Sequence, residues 1–335
     1  MPKETKKSNI AERQASDTTA QGPPGAAGNP DAVPPLGAAA NITGQTFTGA
    51  EAMYTTEFEG ISQYRRPYCF ELAGRTFDIV FDDGMEVAVT FDDGHRLTWS
   101  ANGCEKESHG YDCLKATDEH YLVHFEKKGR WPREGVTLII DLHQDLCTGN
   151  FSTQGEDPTF VNLVKRTLRF GALRIPGKPL PTARHCHTTD MVGKKICYTY
   201  SPVFSITHIY FTDRLSRAVL SRQTIDETMD DAQKKEQANR KLFEEESIYL
   251  KIDENVYVYS WIEKNFGSGT QGFMLMDTHR VTDVGCFFGV NPQGQPESYM
   301  ISAFGKYVTD TFPEETAPSP YTYDFQWEMP SAKSK

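Results

Sequence analysis

The sequence lacks the motifs that mark several common catalytic and nucleotide-binding sites. It has no Gly-x-x-x-x-Gly-Lys-Ser/Thr loop, no His-Glu-x-x-His and no Gly-x-Ser-x-Gly, and we expect no dinucleotide-binding site. These motifs serve phosphate binding, zinc ligation and the activation of a serine nucleophile. The sequence therefore gives no support for a phosphate-cradling loop or for a nucleophilic serine at a strand-to-helix turn.

Long apolar runs and positive charge are also scarce. No apolar run approaches the roughly 20 residues that a transmembrane helix needs. No apolar stretch follows the polar N-terminus, so we expect no secretory signal, no membrane partner and a cytoplasmic location. The 335-residue chain has a net charge of −11 and a pI near 5.4, which argues against nucleic acid as a partner.

The sequence shows no disulfide framework or metal-binding motif. Its seven cysteines are odd in number and irregularly spaced, and no Cys-x-x-Cys occurs, which favours reduced thiols. His185 and His187 place two imidazoles on one side of an extended segment. Zinc needs further ligands, and the spacing indicates none. We therefore expect no cofactor and no stoichiometric zinc or molybdenum.

What the sequence does contain is a β unit that occurs twice. The first copy spans residues 74–151 and the second spans residues 193–289. Similar short segments follow one another in the same order and at similar spacing in both copies. Each copy closes on a Gly-x-Phe segment, at residues 149–151 and at residues 285–287. Two copies of one unit predict a duplicated small all-β domain.

Apolar and polar residues alternate along the first copy, and Asp-Asp-Gly turns at residues 82–84 and 92–94 separate its strands. The carboxylates of these turns serve turn geometry rather than chemistry. Short antiparallel strands joined by tight turns predict two tandem antiparallel β-barrels. Residues 223–246 are polar, rich in Lys and Glu, and free of Pro and Gly. They predict a surface helix inserted into the second barrel.

These patterns divide the chain into five parts. Residues 1–58 are rich in Ala, Gly, Pro and Thr, and predict a disordered N-terminal arm. Residues 59–160 form the first predicted barrel and residues 193–310 the second. Residues 161–192 contain three prolines and predict an extended strap through which the barrels pack. Residues 311–335 form a polar C-terminal tail.

Several short motifs resemble the MoaF family. Residues 193–214 and 257–264, which include Tyr-Thr-Tyr-Ser-Pro and Tyr-Val-Tyr-Ser-Trp-Ile-Glu-Lys, resemble its C-terminal domain. The Phe-Asp-Asp-Gly segments at residues 81–84 and 91–94 resemble its N-terminal domain, and residues 170–177 resemble its linker. The resemblance implies calycin-like, or lipocalin-like, barrels that bind small molecules in the lumen. The family name implies an association with molybdenum cofactor biosynthesis.

The second copy carries the candidate site. Residues of one parity share one face of a strand, and aromatic and ionisable residues share such faces here. We predict that His208 and Glu263 are catalytic and that six aromatic residues bind the substrate: Tyr198, Tyr200, Tyr210, Tyr257, Tyr259 and Trp261. A barrel interior lined by Tyr, Trp and His suits a small apolar or aromatic metabolite with a few polar groups.

Three functions are compatible with these residues. The first is a cofactor-free enzyme of the lyase, isomerase or cyclase type, since such reactions need orientation and proton transfer. The second is a non-catalytic protein that binds a small ligand, and the third is an accessory protein of molybdenum cofactor biosynthesis. We favour the enzyme and leave a homodimer open. The aromatic row could also be core packing alone. In the first copy, His120 and His124 share a face that could line the interior of the first barrel, but we expect this face to be exposed.

Overall fold

The computed structural model describes residues 63–127, 129–156, 163–201, 204–222, 242–263, 269–290 and 296–308, together with the backbone of residues 39–40 and 46–47. All of them belong to one compact unit, residues 34–335. Within these segments the regular structure consists of β-strands, and no helix is long and apolar enough to cross a membrane. All seven cysteines lie in the described segments as free thiols, as predicted.

The first barrel is a nine-stranded antiparallel sheet that curls until it is nearly closed. Two short paired strands precede it, β1 (Ala39–Ala40) and β2 (Thr46–Phe47). Its own strands are β3 (Thr76–Phe81), β4 (Glu86–Phe91), β5 (Arg96–Ala101), β6 (Glu107–Gly110), β7 (Asp112–Lys115), β8 (His120–Lys127), β9 (Arg133–Asp141), β10 (Leu146–Gln154) and β11 (Val164–Leu173). Their order is β6-β5-β4-β3-β11-β10-β9-β8-β7. Apolar side chains such as Phe91, Trp99 and Phe125 fill the interior.

The second barrel is a closed antiparallel barrel of eight strands, with one short strand added. The added strand is β12 (Cys186–His187), and the barrel strands are β13 (Lys195–Thr199), β14 (Ser205–Tyr210), β15 (Leu215–Arg222), β16 (Leu242–Asp253), β17 (Val256–Ile262), β18 (Gln271–Asp277), β19 (Thr282–Val290) and β20 (Pro296–Tyr307). The barrel closes because β16 pairs with β15 on one edge and with β17 on the other. The predicted all-β fold of two tandem barrels is confirmed.

Strand register confirms that the two barrels are copies of one unit. Gly149 on β10 lies opposite Leu138, and Gly285 on β19 lies opposite Met274. In each copy, the strand that carries Gly-x-Phe, β10 or β19, pairs with the strand before it, β9 or β18, and with the strand after it, β11 or β20. Gly149 and Gly285 therefore occupy the same position within their copies. The repeat visible in the sequence is thus a repeat of structure.

The two barrels pack against each other through the outer faces of their sheets. Strands β8, β9, β17, β18 and β19 are buried on both faces, whereas β3 and β4 alternate between buried and exposed residues. The shared cluster contains Leu114, Ala116, Leu122 and Ile139 from the first barrel and Leu250, Ile252, Val256, Val258, Phe273, Leu275, Val284, Cys286 and Met300 from the second. The barrels therefore contact each other directly, and two residues assigned to the strap, Leu168 and Phe170, also pack against this cluster. Near-continuous apolar runs, such as residues 136–140, are typical of strands buried on both faces.

Three predicted segments differ from the structure. Val164–Leu173, assigned to the strap, is β11 and pairs with β10 and β3, so the first barrel extends to Leu173. The end of the predicted helix, from residue 242 onwards, lies instead in strand β16. Glu245 is buried while its neighbours Glu244 and Glu246 are exposed, which is the alternation of a strand. Pairing with β15 therefore outweighs the helix propensity of these residues. Residues 223–241 lie outside the described residues. So do the C-terminal tail and the predicted arm apart from β1 and β2.

Candidate functional site in the second barrel

Inward-facing side chains of β17 to β20 form three layers across the interior. From the end of β17 backwards, the layers are Trp261, Gly272, Phe287 and Tyr299; then Tyr259, Met274, Gly285 and Ile301; then Tyr257, Met276, Asp283 and Ala303. The two glycines leave room for large neighbours, because a Cβ at Gly272 would contact the Trp261 ring and a Cβ at Gly285 would contact the Met274 sulfur. Residues 267–272 do spell Gly-x-Gly-x-x-Gly, but Gly272 lies in β18. Because this run leads into a strand instead of a helix, it is no dinucleotide site.

His208, on β14, lies within a set of aromatic rings. Its ring centroid is 5.0 Å from that of Tyr259, 5.8 Å from Trp261, 6.0 Å from Tyr198 and 6.3 Å from Tyr210. Burial lowers the pKa of the imidazole to about 3, so the ring is neutral at neutral pH. A neutral imidazole donates a hydrogen bond with one nitrogen and accepts one with the other, but this ring is a weak base.

Among the described residues, two polar atoms of this interior are buried without a hydrogen-bond partner, Tyr198 Oη and His208 Nδ1. Other hydroxyl groups nearby are satisfied. Tyr259 Oη lies 2.7 Å from Ser216 Oγ, and the Tyr210 hydroxyl donates to Met276 Sδ at 3.1 Å. A buried polar atom without a partner costs about 1–3 kcal/mol. Two such atoms on rings in contact therefore single out this part of the interior.

A buried carboxyl group lies in the third layer. Tyr200 Oη donates to Asp283 Oδ2 at 2.8 Å, and the Ala303 amide donates to Asp283 Oδ1 at 2.7 Å. Burial raises the pKa of Asp283 to about 7, against the opposing effect of these two hydrogen bonds. Asp283 therefore changes protonation state close to neutral pH.

A second buried carboxyl group lies at the opposite end, beyond the Trp261 layer. Burial, together with the charge of Glu263, raises the pKa of Glu297 to about 8. Thr270 Oγ1 lies 3.1 Å from Glu297 Oε2 and 2.5 Å from the Val290 carbonyl oxygen. Because the hydroxyl has a single proton, both contacts are satisfied together when Glu297 is protonated and donates to Thr270.

The structure gathers all six predicted aromatic residues into one interior cluster. His208 joins them through its ring contacts, while Glu263 follows β17 at the barrel end, where its Oε1 accepts from Trp261 Nε1 at 3.4 Å. Sequence reasoning missed Asp283, Glu297 and Tyr299. The signal was available, because Glu297 and Tyr299 share parity on β20 with Ile301. The catalytic and binding roles of the eight residues stay predictions.

The histidines considered for other roles occupy different environments. His120 and His124 are buried on the outer side of β8 towards the second barrel, so the expectation of an exposed face is wrong. His185 is 3% exposed and bonded to Thr148 Oγ1, whereas His187 is exposed and packs its ring 5.9 Å from Phe170. The His-Cys-His segment therefore does not present its two imidazoles to one ion.

Comparison with known proteins identifies the two barrels. The sequence matches the MoaF N-terminal domain over residues 51–155 and the MoaF C-terminal domain over residues 185–311. No curated protein matches it. A presumed beta-lactamase of known structure from Burkholderia vietnamiensis shares 13% identity, over 36% of this chain and 96% of that chain, with a TM-score of 0.26, which is too low to carry an argument. The two matched domains occur in sequence order, one on each barrel, and the chain belongs to the MoaF family.

Proposed function

We propose that the interior of the second barrel binds a small, flat, largely apolar metabolite and transfers a proton on it without a cofactor. The supporting observation is the pair of unpartnered buried atoms, Tyr198 Oη and His208 Nδ1, on rings 6.0 Å apart. A ligand with a polar substituent between them would relieve the cost of both. The surrounding rings of Tyr259 and Trp261 suit a planar ligand.

The carboxyl groups would supply the chemistry. With its pKa raised to about 8, Glu297 keeps its proton at neutral pH and can act as a general acid. Glu263 adjoins the same layer through Trp261 and is the partner carboxylate that would accept a proton. His208 would orient the ligand by hydrogen bonding. This arrangement fits lyase, isomerase or cyclase reactions, since these need orientation and proton transfer.

Family membership favours a second candidate, an accessory role in molybdenum cofactor biosynthesis. This role would use the barrel for binding only. A protein that only binds the ligand, here called a carrier, and an enzyme would both need Tyr198 and His208 for binding. Only the enzyme would need Glu297 and Glu263 for proton transfer.

Native mass spectrometry of the purified full chain tests the proposal by detecting small molecules that copurify. With such a ligand in hand, we expect Tyr198→Phe to weaken binding by roughly tenfold or more, because it removes one hydrogen-bond partner. Without ligand, the same variant should be as stable as the natural chain or more stable, since it deletes an unpaired hydroxyl. A variant that loses stability and keeps full affinity would contradict the proposal.

Two further variants separate the enzyme from the carrier. Glu297→Gln and Glu263→Gln keep the shape of the site and remove the carboxyl chemistry. An enzyme would lose roughly 10²–10⁴-fold in turnover while its ligand affinity changes little. Unchanged turnover in both variants would reject the assignment of these residues as acid and base.

A further inference from the structure

A second cluster of ionisable side chains lies where the barrels meet, away from the interior of the second barrel. The turn between β9 and β10 carries Asp141 and His143, and faces Asp253 at the end of β16. Gln144 Nε2 bridges the same two turns by donating to Asp141 Oδ2 and to the Ile252 carbonyl, each at 2.8 Å. Side chains from both barrels are therefore held together at this point.

Three atoms of this cluster converge. His120 Nε2 lies 3.5 Å from Asp141 Oδ1 and 3.5 Å from Asp253 Oδ2, and all three atoms lie within 4.8 Å of one another. Zinc binds imidazole nitrogen and carboxylate oxygen at about 2.0–2.2 Å, so the ligands of a tetrahedral ion are separated by about 3.4 Å. The two separations at His120 are thus those of ligands around one ion.

His120 Nε2 provides an independent sign of a ligand. The residue is 4% exposed, and within the described part of the chain this nitrogen has no hydrogen-bond partner, although it is directed at two carboxylates. The other ring nitrogen, Nδ1, lies 2.6 Å from Thr117 Oγ1, which fixes the orientation of the ring. Metal-ligating imidazoles are commonly held in this way by a hydrogen bond at the second nitrogen.

Neighbouring groups also fix the positions of the two carboxylates by hydrogen bonds. Buried His185 bonds Asp141 Oδ2 through Nε2 at 3.2 Å, and the amides of His143 and Gln144 bond Asp141 Oδ1 at 2.8 and 3.0 Å. The side chain of His143 is 56% exposed, with Nδ1 2.6 Å from Asp253 Oδ2. His143 therefore marks the open side of the cluster and could complete the coordination of an ion.

The duplication provides an internal comparison. In the second copy, Asp277 forms the same turn, and its Oδ1 accepts from the amides of His279 and Arg280, each at 2.9 Å. The position of His120, opposite the aspartate, is occupied there by Val256. The turn therefore forms without a histidine opposite its aspartate, and the fold alone does not require His120.

We propose that His120, Asp141 and Asp253 bind one divalent transition-metal ion between the barrels, with His143 at its open side. Imidazole and carboxylate donors without thiolate suit Zn²⁺ and Mn²⁺. Because Asp253 comes from the second barrel and the other ligands from the first, the ion would link the two. This proposal replaces the expectation of a metal-free protein, which rested on spacing along the chain.

The test uses the full chain, stripped with a chelator and then titrated with Zn²⁺ in calorimetry, with the metal content measured after dialysis. We expect one Zn²⁺ per chain and a rise in melting temperature, since an ion that binds only the folded state stabilises it. Asp253→Asn and His120→Asn should each lose roughly tenfold or more in affinity. His109→Asn is the matched control, because His109 is also buried beside a carboxylate, Glu107, but has no second one.

Several results would overturn the proposal. One is a folded natural chain that binds no Zn²⁺ and gains no stability, in which case His120 only pairs with the two aspartates across the interface. Another is binding that both ligand variants retain, which would indicate surface sites. If either variant fails to fold, Co²⁺ absorption of the natural chain decides. Bands of a low-symmetry nitrogen–oxygen site support the proposal, and the spectrum of free aqueous Co²⁺ contradicts it.

Discussion

His124 of the first barrel and Ser298 of the second are joined by a hydrogen bond of 3.1 Å between Nε2 and Oγ. The other ring nitrogen, Nδ1, lies 3.0 Å from Thr137 Oγ1, so both nitrogens are used inside a buried interface. Burial, reinforced by the charge of Arg133, lowers the pKa of His124 to about 4. The interface thus contains an imidazole whose neutral form is favoured by the folded structure.

Acidification should therefore weaken the folded protein. The unfolded chain gains a proton on this histidine near pH 6.5 and the folded chain only near 4, so stability falls as the pH drops through that window. The loss amounts to about 1.4 kcal/mol per pH unit for one such group. In urea unfolding at several pH values, His124→Gln should lose less free energy of unfolding than the natural chain as the pH falls. His95→Gln, at an exposed histidine, should show the same pH dependence as the natural chain.

Ionisation of Glu297 should make the folded protein less stable as the pH rises, which is the opposite of the effect of His124. Its pKa rises from 4.5 to about 8 in the folded protein, so the folded chain holds a proton that the unfolded chain releases. The stabilising contribution is complete below pH 4.5 and is lost as the pH rises towards 8. Glu297→Gln, which cannot ionise, should be more stable than the natural chain at the alkaline end of this range. A variant with the same pH dependence as the exposed-site control Glu105→Gln would show that Glu297 is already ionised.

Packing inside the second barrel should not tolerate added volume at Gly285. A methyl group there would contact the Met274 sulfur and lie 2.9 Å from the Phe273 carbonyl oxygen. Gly285→Ala should lower the free energy of unfolding by about 1–3 kcal/mol, the usual cost of overpacking. Gly94→Ala is the control, since its nearest neighbour is the Phe70 ring, which is 50% exposed and can move. Equal stability of the two variants would contradict this view of the interior.

Cys69 should be the most reactive of the half-buried and exposed thiols. A hydrogen bond from Cys113 lowers the pKa of Cys69 to about 7, so a large fraction is thiolate at neutral pH. Mass spectrometry after brief alkylation should find Cys69 modified before Cys104 and Cys186, which are exposed. Cys113→Ala should slow the reaction at Cys69. Faster labelling of Cys104 in the natural chain would show that exposure outweighs ionisation.

The sequence was sufficient for the duplication, the all-β class and the aromatic row, because these depend on local alternation and on order along the chain. It was insufficient for residues whose burial or pairing depends on strands that are distant in the sequence. The buried faces of His120 and His124 depend on docking of the second barrel, and β11 forms because β3 and β10 offer open edges. The parity of Glu297 with Tyr299 and Ile301 could be read from the sequence, but its raised pKa depends on burial and on Glu263, which lies on a different part of the chain. Tertiary pairing decided each of these cases.

The shared outer faces of the barrels have a consequence for synthesis. The first barrel is complete once Leu173 has left the ribosome, yet Leu114, Leu122 and Ile139 are covered by residues as late as Met300. A newly made first barrel would therefore present an apolar patch to the cell until the strands of the second barrel that cover it have been translated. Truncated chains that end in the strap should bind chaperones or aggregate, and the order of the two copies along the gene decides which barrel bears that exposure.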